Sequence, residues 1–236
     1  MSDETTIVPA ERADGIRQVV LLTNHALGRS LISAILNFRP GIRVVLAETI
    51  AALRTVPPAD LAGARLISFC SAHIVPPDLL NALGYGGYNF HPGPPDYPGW
   101  APFSFALYDG VKRYGVTVHG MTERVDRGPI VGVEYFPVPP NMTAPQLLTR
   151  ANGAMFQLFA TLANSLVNQI APLPTLPIEW GAHSTTRKEF AARCQIPLDI
   201  APETLRKTVR AFGVGDGFHT PTITLHGIPF TAVPPV

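Results

Sequence analysis

The sequence predicts an α/β fold, a doubly wound and mostly parallel sheet with a small C-terminal α+β appendage. Three observations carry this. Short runs at Val19–Leu22, Ile42–Leu46 and Leu66–Cys70 read as strands, the first as one buried on both faces. Stretches of helical spacing lie between them, the alternation of a parallel sheet. Pro172, Pro174 and Pro177 then form a stiff linker ahead of a short tail. The expected organisation is an N-terminal arm at 1–17, a main domain at 18–172 and an appendage at 173–236.

In chain order, Leu31, Ile32, Ile35 and Leu36 give residues 28–38 a helical face, which Arg39-Pro40-Gly41 ends. A short helix is expected over 49–55, after which Pro57-Pro58 breaks the chain, and another over 77–83. Tyr88-Asn89-Phe90-His91 is the fourth strand. Residues 102–108 read as helix, and 114–119 and 130–136 as strands. Thr143-Ala144-Pro145-Gln146 has the capping-box pattern. The long helix after it carries Leu147, Ala151, Ala154, Leu158, Leu162 and Leu166 on one stripe. In the tail, Thr186-Arg187-Lys188-Glu189 is a second capping box, and Leu205, Val209 and Phe212 line one helix face. His226-Gly227 between two apolar runs predicts a β-hairpin.

Composition narrows the function. Of 236 residues 46% are hydrophobic and 15% charged, the balance of a globular chain. A formal net charge of +1 lacks the basic excess of nucleic-acid binders. No apolar run reaches the length of a membrane span, and the polar, acidic N-terminus does not resemble a signal peptide. Cys70 and Cys194 form neither a close pair nor a metal spacing. A cytoplasmic protein with free thiols and no metal site is expected.

The chemistry concentrates in Tyr88–Gly99 and Asp126. Asn89 and His91, two apart on a strand, share a face. Pro92 stops the strand, and a Pro/Gly loop follows. Amide donor, titratable ring and later carboxylate are the groups that acyl transfer to an amine requires. Taken singly, Asn89 reads as a strand-end cap, His91 as a structural histidine and Asp126 as a turn aspartate. His119 reads as a satisfied core histidine near the site, Cys70 as a small buried residue and Trp100 as packing.

Asn89-Phe90-His91, Tyr97-Pro98-Gly99, Gly115-Val116-Thr117-Val118-His119 and Asp126-Arg127-Gly128 resemble, in order and spacing, the folate-dependent formyltransferases. That family includes methionyl-tRNA, glycinamide-ribonucleotide and sugar-nucleotide formyltransferases. Ser68–Pro76 is similar to its folate-binding strand end and loop, and the resemblance runs from about residue 18 to residue 170. It implies a Rossmann-like core and 10-formyltetrahydrofolate as formyl donor. It implies Asn89, His91 and Asp126 as catalytic residues: Asn89 donating to the oxyanion, His91 stabilising the same charge, Asp126 fixing the imidazole and helping to remove the amine proton. It also implies a folate site drawn from Phe69, Cys70, Ser71, Ala72, His73, Ile74, Tyr97 and Val125, with backbone rather than the His73 ring reading the pterin. The loop departs from the family pattern, with Pro98-Gly99 for the frequent Arg-Gly and Gly93-Pro94-Pro95-Asp96 for Ser-Leu-Leu-Pro.

The acceptor is expected to be a small-molecule amine, with an amino-sugar nucleotide leading. Thr23–Gly28 has one glycine where the ribonucleotide branch has a Gly-rich phosphate loop, and the tail is short for the tRNA branch's β-barrel. Methionyl-tRNA formylation, hydrolysis of formyltetrahydrofolate and a non-catalytic folate-binding module are the alternatives. A homodimer through the hairpin edge is a further expectation.

Overall fold

The computed structural model describes residues 15–232. The N-terminal arm expected at 1–17 lies mostly outside them. Eight strands and eight helices follow in the order β1 (Gln18–Leu22), α1 (His25–Phe38), β2 (Arg43–Ala47), α2 (Ile50–Leu53), α3 (Pro58–Leu61), β3 (Ala64–Phe69), α4 (Pro77–Ala82), β4 (Gly87–His91), α5 (Pro102–Asp109), β5 (Arg113–Gly120), β6 (Ile130–Pro137), α6 (Ala144–Asn168), α7 (Arg187–Cys194), α8 (Pro202–Phe212), β7 (Thr222–Leu225) and β8 (Ile228–Thr231). Six strands form one sheet in the order β2-β1-β3-β4-β5-β6. β1 pairs in parallel with β2 and β3, and β3 with β4, with Ser68 opposite Asn89. Because β1 has β2 on one side and β3 on the other, the order reverses there. Ligands of open α/β sheets bind beyond the carboxyl ends of strands at such a point.

The described residues divide into two compact units, one of 15–90, 118–131 and 158–176, the other of 91–117, 132–157 and 177–232. In the first, every residue of β1 and β3 is buried, as the continuous apolar runs require. Gly28 of α1 is buried, and a Cβ there would stand 2.8 Å from Leu46, so glycine lets the helix approach β2. Phe69, Phe90 and Phe159 pack against one another in tilted and edge-on contacts. Arg65 is fully buried and satisfied: it donates to the carbonyls of Tyr85, Ser165 and Leu166 and lies over the Tyr88 ring. Arg39 donates to Val167 O at 2.8 Å. Two cations thus meet the carbonyl end of α6, where the helix dipole favours them.

In the second unit Phe212 of α8 packs on Phe105, Tyr108 and Phe190. The hairpin joins β7 to β8 through His226 (φ 50°) and Gly227 (φ 81°), the left-handed pair that a two-residue turn requires. Leu225, Ile228 and Phe230 are exposed on it.

Some local expectations change. α1 begins at His25, not residue 28, because the Asn24 side chain accepts from Leu27 N–H and caps it. Pro58 does not simply break the chain: it is the first residue of α3, where its missing N–H costs nothing. Leu205 and Val209 are half-buried, while Thr208, Ala211 and Phe212 are buried. Both expected capping boxes form. Among the described residues no helix is long and apolar enough to cross a membrane.

Candidate functional site

The carboxyl end of β4 carries Asn89 and His91 at alternate positions. In the first unit Asn89 Nδ2 lies 3.2 Å from His119 Nε2 and 3.5 Å from Asp126 Oδ1. His119 Nε2 lies 3.2 Å from the same Asp126 oxygen. Both side chains are buried, at 3% and 5% exposure, so bulk solvent screens the pair little. His119 Nδ1 is 2.9 Å from Gly120 O. A backbone carbonyl only accepts, so Nδ1 carries the proton of that bond.

The turn that delivers Asp126 explains its motif. Asp126 takes the left-handed conformation, φ 46°, which is rare for a non-glycine residue and frequent at functional sites. Gly128 is needed because a Cβ there would stand 1.8 Å from Gly120 O, the carbonyl that holds His119. The Asp-x-Gly pattern therefore protects the anchor of a second histidine. His119, expected as a core histidine, is indeed buried and satisfied, but its partners are the site residues. The signal was its place at the end of β5, two residues beyond Thr117.

In the second unit His91 is buried, and its Nε2 is 2.9 Å from Tyr97 O, so this nitrogen donates to the loop. The Trp180 ring meets the imidazole edge-on at 5.7 Å. A Cβ on Gly93 would come within 2.6 Å of His91 Nε2, which explains the small residue after Pro92. The Pro/Gly loop is pinned from several sides. Tyr114 donates to Pro92 O and Thr117 to Gly93 O. Gly181 N–H donates to Pro95 O, Thr185 N–H to Pro98 O and Trp100 N–H to Thr185 O. Trp100 packs, as expected: its indole donates to Asp216 and Arg187 lies over its ring. Trp180 was missed, since nothing in the sequence joins residue 180 to residue 91.

Of the residues expected to bind folate, Phe69 is buried at the end of β3, while Cys70 is half-buried with φ 50°. Burial pushes the Cys70 thiol up to about 12. Residues 71–76 form no helix or strand, and Ala72, His73 and Ile74 are exposed. Ser71 Oγ accepts from His73 N–H. Val125 is exposed next to Asp126. The Tyr97 hydroxyl donates to Asp109 at 2.8 Å; burial first, and that bond second, raise its pKa. Both residues border a cavity of about 480 Å³ in the second unit, with Asp96, Glu189 and Arg193.

Residues 65–161 match the model of the formyl transferase family. The match covers less than half of the chain. The matched segment contains every residue singled out above for catalysis or folate, and His119 as well. Seventy residues are 47% identical to methionyl-tRNA formyltransferase of Chlamydia caviae. This stretch is 29% of the present chain and 22% of that protein, so the chain matches under a quarter of the relative's length. Solved structures of like fold include a sugar N-formyltransferase from a Shewanella species, with TM-score 0.71, 21% identity, and 91% and 95% of the two chains covered. Another is an N-formyltransferase from Helicobacter canadensis, solved in complex with folinic acid and dTDP-3-aminofucose, with TM-score 0.66, 15% identity, and 90% and 85% covered. At these identities the likeness establishes the fold, a mostly parallel Rossmann-like sheet.

Proposed function

We propose that this protein transfers the formyl group of 10-formyltetrahydrofolate to a primary amine of a small acceptor, an amino-sugar nucleotide being the class favoured. The observation that carries the reading is a buried carboxylate, Asp126, within hydrogen-bond reach of a strand-end amide, Asn89, inside the segment that matches the formyl transferase family. The acceptor nitrogen attacks the formyl carbon, and the carbonyl electrons move to oxygen. Asn89 donates an N–H to that oxyanion, and His91 stabilises the same charge. Asp126 takes one proton from the new ammonium and returns it to the departing folate nitrogen as the C–N bond breaks. Presenting His91 Nε2–H to the oxyanion means exchanging its Tyr97 carbonyl for the substrate oxygen. Phe69, Cys70, Ser71, Ala72, His73, Ile74, Tyr97 and Val125 are assigned to the folate.

The acceptor class has local support. His25 N–H donates to Glu48 Oε1 at 2.6 Å, and Asn24 takes Leu27 N–H. The start of α1 thus already holds an internal carboxylate where a phosphate would otherwise bind. This disfavours a ribonucleotide phosphate at that position. The Helicobacter protein, of like fold, was solved with a nucleotide-linked amino sugar.

The test offers labelled 10-formyltetrahydrofolate with a panel of dTDP- and UDP-amino sugars and with charged initiator tRNA. Formylation of an amino-sugar nucleotide sustains the proposal. Transfer to tRNA alone would move it to the activity named for the Chlamydia relative, and formate release without any amine would make the protein a hydrolase. We assign residues 18–172 to catalysis and 173–236 to an appendage. Its exposed hairpin supports a homodimer, which light scattering across a concentration series tests.

A further inference from the structure

Tyr97 is held at its N–H, its carbonyl and its hydroxyl, and the carbonyl meets the ring of a buried histidine. The N–H donates to Pro94 O at 3.0 Å and closes a turn of the Pro/Gly loop. The carbonyl lies 2.9 Å from His91 Nε2, and since a carbonyl only accepts, that nitrogen donates. The hydroxyl donates to Asp109 Oδ2 at 2.8 Å. Asp109 is the last residue of α5, the end at which the helix dipole opposes an acid. What the carboxylate gains there is the phenol, bound by the stronger, charge-assisted kind of hydrogen bond. α5 is itself fixed: Phe105 and Tyr108 pack on Phe212 of α8, and Arg193 and Lys207 lie over the Tyr108 ring. A packed helix end is thereby tied, through one side chain, to the carbonyl that holds His91.

We propose that Tyr97 and Asp109 are a positioning pair for His91: the hydroxyl anchor on α5 sets where the Tyr97 carbonyl stands, and the carbonyl sets the direction of the Nε2–H. A phenol fixed at its far end limits the rotation of the residue that carries it. The carbonyl therefore cannot turn away from the imidazole without breaking a second bond. The pair rests on the formyl-transfer reading for its catalytic consequence, in which His91 faces the oxyanion, but not for its hold on the ring.

The first arm needs no substrate. The His91 Nε2–H is followed in protein labelled with ¹⁵N-histidine, with His91→Gln used for assignment. Tyr97→Phe, which keeps the ring, and Asp109→Ala should each quicken exchange of this proton with solvent about fivefold or more. Asp109→Asn, whose amide oxygen still accepts from the phenol, should stay near wild type. A resonance and an exchange rate unchanged in both Tyr97→Phe and Asp109→Ala would overturn the proposal. The second arm is kinetic. Each of those two variants should lose about tenfold in kcat, below the roughly 10² that a misplacement of about 1 Å can cost, with little change in KM for formyl-folate. The double variant should be no slower than either single one, because the second change removes nothing that the first has left. A raised KM in Tyr97→Phe with Asp109→Ala at the wild-type rate would make the phenol a folate contact and overturn the pair. A merely structural bond would lower the folded fraction and leave kcat per folded molecule and the histidine signal unchanged, which overturns it equally. Wild-type protein that transfers no formyl group would remove the functional reading, while the exchange rates would still decide the hold on His91.

Discussion

Asn89 and His91 stand two residues apart on β4, yet they are held by unlike means. Asn89 is held by side chains, a buried carboxylate and a second imidazole. His91 is held by backbone, the Tyr97 carbonyl of a loop that is itself tied to residues 181–185. The difference is instructive. A side-chain network can gain or lose a proton and so alter its donors. A backbone clamp has no such freedom, and it positions a ring by geometry alone. The first arrangement suits proton movement, the second suits orientation.

The comparison is broken most severely at its charged half. Asn89→Ala and Asp126→Asn should each cost about 10²–10³ in turnover, with binding of a stable formyl-folate analogue retained. Equal losses for loop variants that leave Asn89, His91 and Asp126 unchanged would erase the distinction. Next come the two glycines that shape the halves. Gly128→Ala meets a backbone carbonyl at 1.8 Å, whereas Gly93→Ala meets the His91 ring at 2.6 Å and Pro102 at 2.7 Å. Overpacking should cost about 1–3 kcal/mol, more at 128, where a carbonyl cannot rotate away; denaturant titration checks the order.

A smaller effect is expected at Trp180. Its alanine variant should lose about 0.5–1.5 kcal/mol of edge contact and lower kcat without shifting the His119 resonances. Smallest is an acid-sensitive contribution at the far end of the loop. Burial works to raise the Asp216 carboxyl, but the N–H groups of Phe218 and His219 and the Trp100 indole outweigh it and hold its pKa below the usual aspartate range. A depressed folded pKa gives stability that is complete above the unfolded value of about 3.9 and is lost as pH falls through the lower folded value. Asp216→Asn should therefore narrow the gap in melting temperature between neutral and strongly acidic pH.

Much of this was legible from sequence, and the reason is distance along the chain. Val19–Leu22 and Leu66–Phe69 announce themselves because a strand covered on both faces must be continuously apolar. Asn89, His91 and Asp126 were legible because the type and order of the three residues is itself the signal. His119 was seen but weighed as core, since its burial reads alike whether its partner is a carbonyl or a carboxylate. Trp180 was not legible at all: its approach to His91 depends on bonds from Gly181 and Thr185 to the loop. The helix at Pro58–Leu61 was lost because Pro57-Pro58 signals a break, while a proline at the first helical position is equally a beginning.

The half-buried thiol of Cys70 bears on chemical selectivity. It stands in the segment that we propose binds the folate, where a thiolate would compete for the formyl group and form a dead-end thioester. Burial raises its pKa to about 12, which keeps it a thiol near pH 7. Under the proposed formyl transfer, the burial that makes Cys70 unremarkable as a packing residue would also keep it from rivalling the incoming amine.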